Sequence, residues 1–186
     1  MPYRTVGTGR CDPAALAACG ADTVIEDGVR IFHPEQVQLG AGVYIGHDAI
    51  LHGYHRGQLV IGAGSWIGAQ CFLHGAGGLF IGLQVGIGPG VRILTSSHRA
   101  ARPPDAVLRA PLDFAAVHIE DGVDIGTNST VLPGVRIGQG AIIGAGAVVR
   151  GDIPAWSIAA GVPARVLRQR PAAAPKAASC AKEGTS

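Results

Sequence analysis

Aliphatic residues recur along this chain at a spacing of six. Ile, Leu or Val fills all seventeen positions of the series between residues 25 and 149, in one pair and five triplets: Ile25 and Ile31; Leu39, Ile45 and Leu51; Ile61, Ile67 and Leu73; Ile81, Ile87 and Ile93; Ile119, Ile125 and Val131; Ile137, Ile143 and Val149. A period of six does not follow one face of an α-helix, which repeats every 3.6 residues. The pattern predicts short β-strands separated by regular corners.

The residues between the aliphatic positions show that the repeating unit is three sixes long. Glycine usually follows the first two aliphatic residues of each triplet and never follows the third. A small or β-branched residue stands four positions after those first two: Val43, Ala49, Ser65, Cys71, Val85, Val91, Val123, Ser129, Ala141 and Ala147. We therefore predict an all-β, triangular solenoid of about five to six coils. Its parallel strands stack about 4.8 Å apart and bury a continuous aliphatic interior.

All insertions fall between one triplet and the next. The successive steps between triplets are 8, 10, 8, 26 and 6 residues, so every insertion leaves the prism at the same corner. The longest insertion is a loop of 20 residues over 99–118. Insertions gathered on one face of a solenoid are typical of a binding face, and a long loop in a compact domain is usually functional.

The regular repeat divides the chain into four parts. Residues 1–22 are predicted to form an N-terminal segment in which Pro13–Cys19 is a short helix, and residues 23–154 the solenoid. Residues 155–170 are predicted to pack back as a strand and a short helix. The tail over 171–186 is rich in Ala, Pro and Lys and is predicted to be disordered.

Composition narrows the classes of function. The net charge of +2 is too small to indicate nucleic-acid binding. No stretch approaches the 18 apolar residues of a membrane span, and the first residues lack the apolar core of a signal peptide. These features predict a cytoplasmic protein with no membrane or nucleic-acid partner. The four cysteines, Cys11, Cys19, Cys71 and Cys180, fit no zinc spacing and are predicted to be inert thiols.

Two segments add a resemblance to a known family. One runs from Ile87 to His98 (IGPGVRILTSSH), and the other combines VVRGDIP at 148–154 with GVPARVLR at 161–168. With the repeat, they resemble the hexapeptide-repeat acyltransferases, in particular the maltose and galactoside O-acetyltransferases. The resemblance implies a left-handed parallel β-helix and a homotrimer. It also implies acetyl-CoA as co-substrate, in a groove between adjacent subunits.

The same resemblance implies that His98 is the general base. Elementary chemistry agrees, since acyl transfer to a hydroxyl or amine requires removal of a proton near neutral pH, for which histidine is well suited. A backbone N–H near Gly126 and Thr127 is implied as the donor to the oxyanion.

Coenzyme A needs cations for its phosphates and backbone groups along its pantetheine arm. The resemblance implies that Ala145 lies beside the arm and that Arg165 and Arg168 lie near the phosphates. Gly126 and Arg150 complete the predicted cofactor-binding set.

The acceptor site departs from the maltose and galactoside enzymes. Their acceptor-binding Asn and Asp correspond to Gly68 and Ala76, and a corner Trp corresponds to Asp124. The acceptor pocket is therefore built differently, and we assign His74 and Arg99 to it. The acceptor is expected to be a sugar or a sugar-containing small molecule, with O- and N-acylation both open.

The chemistry is predicted to be direct transfer in a ternary complex. No Ser or Cys has an identifiable base partner. Ser96 and Ser97 lie beside His98 in the sequence, but neighbours on a strand are expected to point to opposite faces. Cys71 falls on an inward position of the repeat.

Two alternatives come from other classes of protein. The pair His47 and His52 resembles the zinc-binding histidines of the gamma-class carbonic anhydrases, but the third histidine of that family would fall near Cys11. A non-catalytic structural β-helix is the other. We expect no metal.

Overall fold

The computed structural model describes residues 8–10, 12–54, 56–100, 102–104 and 106–171. The predicted tail, apart from Pro171, lies outside these residues, as do Cys11 and Cys180. The described chain winds into three parallel sheets that form the faces of a prism, which we call faces A, B and C.

Each face collects every third strand of the solenoid. Face A contains β1 Ala18–Cys19, β4 Val37–Leu39, β7 Leu59–Ile61, β10 Leu79–Ile81, β15 Val117–Ile119 and β18 Arg136–Ile137. Face B contains β2 Val24–Ile25, β5 Tyr44–Ile45, β8 Trp66–Ile67, β11 Gly86–Ile87, β16 Asp124–Ile125, β19 Ile142–Ile143, β21 Ser157–Ala160 and β22 Arg165–Gln169. Face C contains β3 Arg30–Phe32, β6 Ile50–His52, β9 Phe72–His74, β12 Arg92–Ile93, β17 Thr130–Val131 and β20 Val148–Val149.

The remaining elements lie outside the prism faces or between them. A two-stranded antiparallel hairpin joins β13 Ser96–His98 to β14 Leu112–Phe114. In the described ranges, short 3-10 helices span Pro13–Ala15, Pro34–Gln36 and Val107–Arg109. The predicted fold class, a parallel β-helix, is confirmed.

The core consists of the residues that set the period of six. All seventeen except Ile25, which is partly buried in the first coils, are buried, and so are the ten small or β-branched residues predicted to sit beside them. Among the latter, Ser65 and Ser129 use their hydroxyl groups to link coils. Each donates to a glycine carbonyl of the next coil at 3.0 Å, so burying these polar groups leaves no unsatisfied donor.

The glycines that follow the aliphatic positions serve close packing rather than an unusual backbone conformation. A Cβ placed on Gly68 would lie 2.5 Å from the backbone nitrogen of Pro89 in the next coil, although Gly68 does not have a positive φ. Positive φ occurs two residues further along the corner, where Gln70 (58°) and Asn128 (59°) stand as well as glycines. Lack of space for a Cβ, and not a positive φ, therefore requires glycine at the first corner position.

The solenoid is longer at both ends than predicted, with about seven turns instead of five to six. At the N-terminus, the predicted helix over Pro13–Cys19 is only a 3-10 turn, and β1 already pairs with β4. At the C-terminus, Ile153 bridges to Ile137 and β21 pairs in parallel with β19. The strand β22 then folds back antiparallel in place of the predicted short helix. The spacing of six is not kept in these end coils. Each of them has a neighbouring coil on one side only, so fewer of its side chains have to be buried.

All four insertions leave at the corner between faces C and A, as the spacing indicates. We call this the CA corner, and the corner between faces B and C the BC corner. The long insertion differs from the predicted loop over 99–118, because residues 96–98 already pair with 112–114. A rigid ribbon therefore connects His98 to the prism.

We expect Gly68→Ala to lower the free energy of unfolding by about 2 kcal/mol or more, because its Cβ would press on backbone that has no room to move. Gly151→Ala is the matched control. Gly151 is exposed, has ordinary φ and has no atom within 4 Å of the methyl group that alanine would add, so this change should be neutral or stabilise by up to about 1 kcal/mol. Urea denaturation of both variants measures the difference. Equal effects would contradict the packing explanation.

Candidate active site

His98 ends strand β13 and is solvent-exposed. Its Nδ1 atom lies 3.3 Å from the carbonyl oxygen of Ala110. A carbonyl oxygen can only accept, so the hydrogen bond places the proton on Nδ1 and leaves the lone pair on Nε2. The ring is thereby held in the tautomer that a general base requires.

The hairpin has two chemically different faces. Ser96 lies opposite Phe114 and His98 lies opposite Leu112, so these four side chains share one face of the ribbon. Leu112 and Phe114 are each 39% exposed, which leaves the surroundings of the imidazole apolar but open. We call this the His98 face.

The opposite face of the hairpin carries charge. Arg99 forms an ion pair with Asp113, whose backbone register partner is Ser97. Arg99 Nε donates to Asp113 Oδ2 at 3.3 Å. The structure therefore does not bring Arg99 and His98 onto the same face, although both were predicted to serve acyl transfer to the acceptor.

A pocket of about 600 Å³ opens within the hairpin loop. It is lined by Arg99, Ala100, Pro104, Ala106, Arg109, Ala110 and Pro111. Two arginines thus line a pocket that also includes Ala110, whose carbonyl orients His98.

A buried threonine fixes the base of the hairpin to the solenoid. Thr95 Oγ1 donates to the carbonyl of His74 at 2.7 Å and accepts from the backbone N–H of Gly77 at 2.9 Å. The same oxygen lies 3.4 Å from Nδ1 of His74. Because Thr95 has no exposed surface, these bonds tie the ribbon firmly to the preceding coil.

His74 belongs to a continuous row of aromatic and histidine rings along the CA corner. We call Phe32, His33, His52, Tyr54, Phe72, His74 and Phe114 the ring row. The centroid of His74 lies 6.0 Å from that of Phe72, and 5.8 Å from those of both His52 and Tyr54. Tyr54 also lies 6.4 Å from Phe114, which connects the row to the hairpin.

Burial favours the neutral form of two histidines of the ring row, His52 and His74. Loss of water lowers the pKa of His52, with smaller contributions from the charges of His74 and His33. Loss of water likewise lowers the pKa of His74. The buried Nδ1 of His52 has no hydrogen-bond partner among the residues that the structure describes.

The predicted oxyanion and pantetheine residues form a column at the BC corner. A Cβ placed on Gly126 would lie 2.5 Å from the backbone nitrogen of Ala145, and one on Gly88 would lie 2.7 Å from that of Thr127. Thr127 and Ala145 are exposed, and neither backbone N–H donates a hydrogen bond within the described part of the chain. The corner therefore presents two donors, on successive coils, to solvent.

The predicted phosphate-binding arginines lie at the C-terminal end of the prism. Arg150 and Arg165 line one pocket of about 370 Å³, together with Gly151, Asp152, Ile153, Ala164 and Val166. Arg165 and Arg168 are three apart, a spacing that puts side chains on opposite faces of a regular strand. A register shift in the pairing of β21 with β22 changes this.

Because of this register shift, Leu167 has no register partner on β21 and is an extra residue between Val166 and Arg168, which are both paired. Arg165 pairs with Ala160 and Arg168 pairs with Ile158, which share one face of β21. The β-bulge therefore brings both guanidinium groups to the same side.

His98 and the backbone donors lie at different corners of one chain. The hairpin leaves the CA corner, whereas Gly126, Thr127 and Ala145 line the BC corner. The structure thus brings Gly126, Thr127 and Ala145 together at one corner and places Arg150 and Arg165 in one pocket, and it keeps His98 apart from the BC corner.

The remaining candidates are arranged as follows. Cys71 is buried, and burial raises the pKa of its thiol to about 11, as expected for an inert cysteine. His47 and His52, the pair of the zinc alternative, have separate partners: His47 contacts Glu26 and the carbonyl of Asp27, whereas His52 lies in the ring row. Among the described residues, no group of three or more His, Cys, Asp or Glu could hold a metal ion.

Several residues of the site were missed by the sequence analysis. Tyr54, Thr95, Leu112 and Phe114 all lie in insertions or directly after a strand, where the period of six gives no information. The only available signal was the spacing that placed all insertions at one corner.

No helix in the part of the chain that is described is long and apolar enough to cross a membrane.

Comparison with known proteins agrees with the repeat. Residues 116–151 match the family model described as bacterial transferase hexapeptide (six repeats). A Schizosaccharomyces pombe protein named as a candidate acetyltransferase is 41% identical over 99 residues, which are 48% of this chain and 42% of that protein. The chain therefore matches less than half of this relative's length.

Solved structures show the same fold. A point mutant of AntD, an N-acyltransferase from Bacillus cereus in complex with dTDP and coenzyme A, has a TM-score of 0.74 at 24% identity, covering 85% of this chain and 86% of that one. A maltose O-acetyltransferase from Clostridium difficile has a TM-score of 0.59 at 27% identity, covering 86% and 72%. The resemblance to the hexapeptide-repeat acyltransferases is confirmed.

The neutral histidines predict a loss of stability in mild acid. A histidine whose pKa is lower in the folded state stabilises the fold fully above its unfolded pKa of about 6.5, and this contribution is lost as pH falls through the folded value. We expect the free energy of unfolding to decrease from pH 7 to pH 5. His52→Phe keeps a ring in the row and removes one titrating group, so its decrease should be smaller. Urea titrations at several pH values measure both slopes, and identical slopes would contradict the assignment.

Proposed function

We propose that this protein transfers an acyl group, in the first instance acetyl from acetyl-CoA, to a hydroxyl or amine of a sugar or sugar-containing small molecule. The observation that carries the proposal is His98, whose exposed ring is held in the base-competent tautomer by the carbonyl of Ala110. O-acetylation is the form that the sequence resemblance favours. An N-acyltransferase among the structural neighbours shows that this fold also serves amine acceptors.

The proposed reaction is a direct transfer in a ternary complex. Nε2 of His98 takes the proton of the acceptor hydroxyl while the acceptor oxygen bonds to the acyl carbon. The thioester C–S bond then breaks, and the proton on Nε2 passes to the departing sulfur as free coenzyme A forms. No covalent intermediate is proposed, because the thiol of Cys71 is buried and Ser97 lies on the hairpin face opposite His98. Ser96 shares the face of His98, contrary to the expectation from the sequence, but no hydrogen bond joins the two side chains in the described part of the chain.

The backbone N–H of Thr127 is proposed to donate to the oxyanion of the tetrahedral intermediate. It belongs to a rigid corner between two packed coils, so it is oriented before the substrate binds. Gly126 permits the close stacking of Ala145, and the N–H of Ala145 extends the same line of donors along the pantetheine arm.

Arg165 and Arg168 are proposed to bind the phosphates of coenzyme A. The β-bulge puts them on one side, and Arg150 shares a pocket with Arg165. Charged hydrogen bonds to phosphate are the strong kind that fork-shaped guanidinium groups make. The cofactor would thus extend from Thr127 past Ala145 to the C-terminal end of the prism.

The active site is proposed to form between two copies of the chain in a homotrimer. In a single chain, His98 extends from the CA corner and the donors line the BC corner, so one copy presents the base away from its own backbone donors. A neighbour placed with its CA corner against the BC corner of the first brings the two halves together. Three such contacts, related by a threefold axis, close the ring.

On the acceptor side, we propose that His74 borders the acceptor, as its half-buried ring lies in the row that leads to the hairpin. Arg99 faces the opposite side of the ribbon in its pair with Asp113, so it reaches an acceptor only if that pair opens. No specific observation favours the zinc enzyme, because His47 and His52 have separate partners. A purely structural β-helix does not account for the orientation of the His98 ring.

We expect His98→Ala to lower kcat by about 10²–10⁴-fold, the usual range for loss of a general base. Its affinity for acetyl-CoA should be retained, because the proposed cofactor groups lie at the other corner. Ser97→Ala changes the exposed neighbour on the opposite hairpin face and should leave kcat within about twofold. Thiol release measures turnover and calorimetry measures affinity. Retained turnover in the His98 variant would refute its role.

We expect the double variant Arg165→Ala with Arg168→Ala to raise the acetyl-CoA KM about tenfold or more, since each charged hydrogen bond contributes about 1.5–3 kcal/mol. Arg30→Ala is the control. Arg30 lies on face C at the N-terminal end of the prism and donates to the carbonyl of Thr8, far along the solenoid from the proposed groove. An unchanged KM in the double variant would remove these arginines from the cofactor site.

A further inference from the structure

The ring row forms a surface of aromatic and imidazole rings that ends beside the candidate base. Tyr54 is its central member, with ring centroids at 5.4 Å from His52, 5.8 Å from His74 and 6.4 Å from Phe114. Phe72 continues the row beyond His74, nearly parallel to it at an interplanar angle of 14°. These rings are half-buried or exposed, so part of the surface of the row is open to a ligand.

The row reaches His98 through the hairpin. Phe114 lies diagonally across the ribbon from His98 on the His98 face, and Leu112 lies directly opposite the imidazole. Since Phe114 also contacts Tyr54, the His98 face turns toward the ring row. A molecule seated on Tyr54 and Phe114 would therefore lie next to the imidazole.

At the centre of the ring row, the ionisable groups are paired or neutral. His33 pairs with Glu35 at 3.1 Å, and burial keeps His52 and His74 uncharged near neutral pH. The ion pair of Arg99 with Asp113 occupies the opposite side of the ribbon. The described residues of the row and the His98 face include no arginine or lysine. Nearby arginines are Arg92, the register partner of Phe72 at the far end of the row, whose guanidinium donates to the carbonyl of Gly90, and Arg109 in the pocket of the hairpin loop.

Tyr54 is held in an unusual backbone conformation. Its φ of 65° is in the left-handed region, which a bulky side chain adopts only when its surroundings compel it. Such outliers cluster where the position of a side chain matters for function. Here the conformation presents the phenol ring between the solenoid and the hairpin.

We infer that the ring row and the His98 face bind the acceptor, with Tyr54 and Phe114 as the chief contacts, and that this acceptor carries an uncharged ring-shaped apolar group next to the reacting hydroxyl or amine. The inference rests on the proposed function and narrows it. Aromatic rings bind such groups by burial of apolar surface and by offset or edge-on ring contacts. Glycosides with an aromatic or hydrophobic aglycone belong to this class, and sugar phosphates do not.

The test compares three probes that differ at one end of the same sugar. Calorimetry measures the Kd of p-nitrophenyl β-D-glucoside, methyl β-D-glucoside and glucose 6-phosphate for the full-length protein. We expect the aryl glucoside to bind about tenfold more tightly than the methyl glucoside, the gain that one or two ring contacts provide. Glucose 6-phosphate should bind no better than the methyl glucoside.

Three variants locate the contact. Phe114→Ala should abolish the preference for the aryl glucoside, and Phe114→Tyr should restore it because the ring is retained. Leu108→Ala is the matched control, since Leu108 is in the same loop and 65% exposed but belongs to the 3-10 helix and not to the paired strands that form the His98 face. Its preference should equal that of the wild type.

The inference is overturned if the two glucosides bind equally, if neither binds, or if the preference survives in Phe114→Ala. It is also overturned if light scattering shows that Phe114→Ala loses self-association, because a second copy of the chain would then cover the row. Acetyl-CoA binding and the effect of His98→Ala on turnover are measured separately. The proposed function can therefore stand when this inference fails.

Discussion

The separation of successive coils is the constraint on which this structure depends. Parallel strands that share hydrogen bonds lie about 4.8 Å apart, and this distance is the same on all three faces of the prism. At the corners, the backbone of one coil approaches that of the next so closely that a Cβ on Gly46 or Gly126 would lie 2.7 Å or 2.5 Å from a backbone nitrogen. Side chains are thus excluded from these corner positions, and the core must be filled by one aliphatic residue per strand and one small residue per corner.

This constraint also decides where function can be placed. Two corners are tightly stacked in every coil, so they offer only backbone groups and a few exposed side chains such as Thr127. The CA corner alone accommodates extra residues, and it carries the ring row, the hairpin and His98. Rigid donors and adaptable side chains are therefore separated by the architecture itself. Chemistry that needs both has to combine two corners.

The fold could be predicted from the sequence because its rule is local and repeats many times. The sequence itself shows the spacing of six, the small residues at the corners and the position of the insertions. The residues that the spacing predicts to be in the core are buried in the structure. The ends were predicted less well, since β1 and Ile153 join the stack without the aliphatic period. The β-bulge at Leu167 left no sequence signal either, yet it determines that Arg165 and Arg168 face the same way.

The chemistry proposed for the candidate site comes from the sequence, whereas the geometry of the site could not be predicted from it. His98 could be chosen for its type and its place at the start of the long insertion. That Ala110 orients its ring, that Arg99 points away from it, and that Phe114 joins it to Tyr54 depend on the pairing of two strands 14 residues apart. Hairpin register is set by turn geometry and by cross-strand contacts, and neither follows from the period of six.

The arrangement of the ring row suggests why the hairpin needs a rigid attachment. A general base is effective only when its position relative to the acceptor is fixed, and a free loop of about 20 residues would leave it mobile. Thr95 anchors the start of the ribbon with two hydrogen bonds, and the contact of Tyr54 with Phe114 supports its far strand. The left-handed backbone of Tyr54 costs stability, and so does the buried Nδ1 of His52, which has no partner among the described residues. The first cost falls on a residue that contacts the hairpin and the second on that residue's neighbour in the ring row. Both residues support the strand that lies opposite His98, and a fixed position of the base compensates the loss of stability.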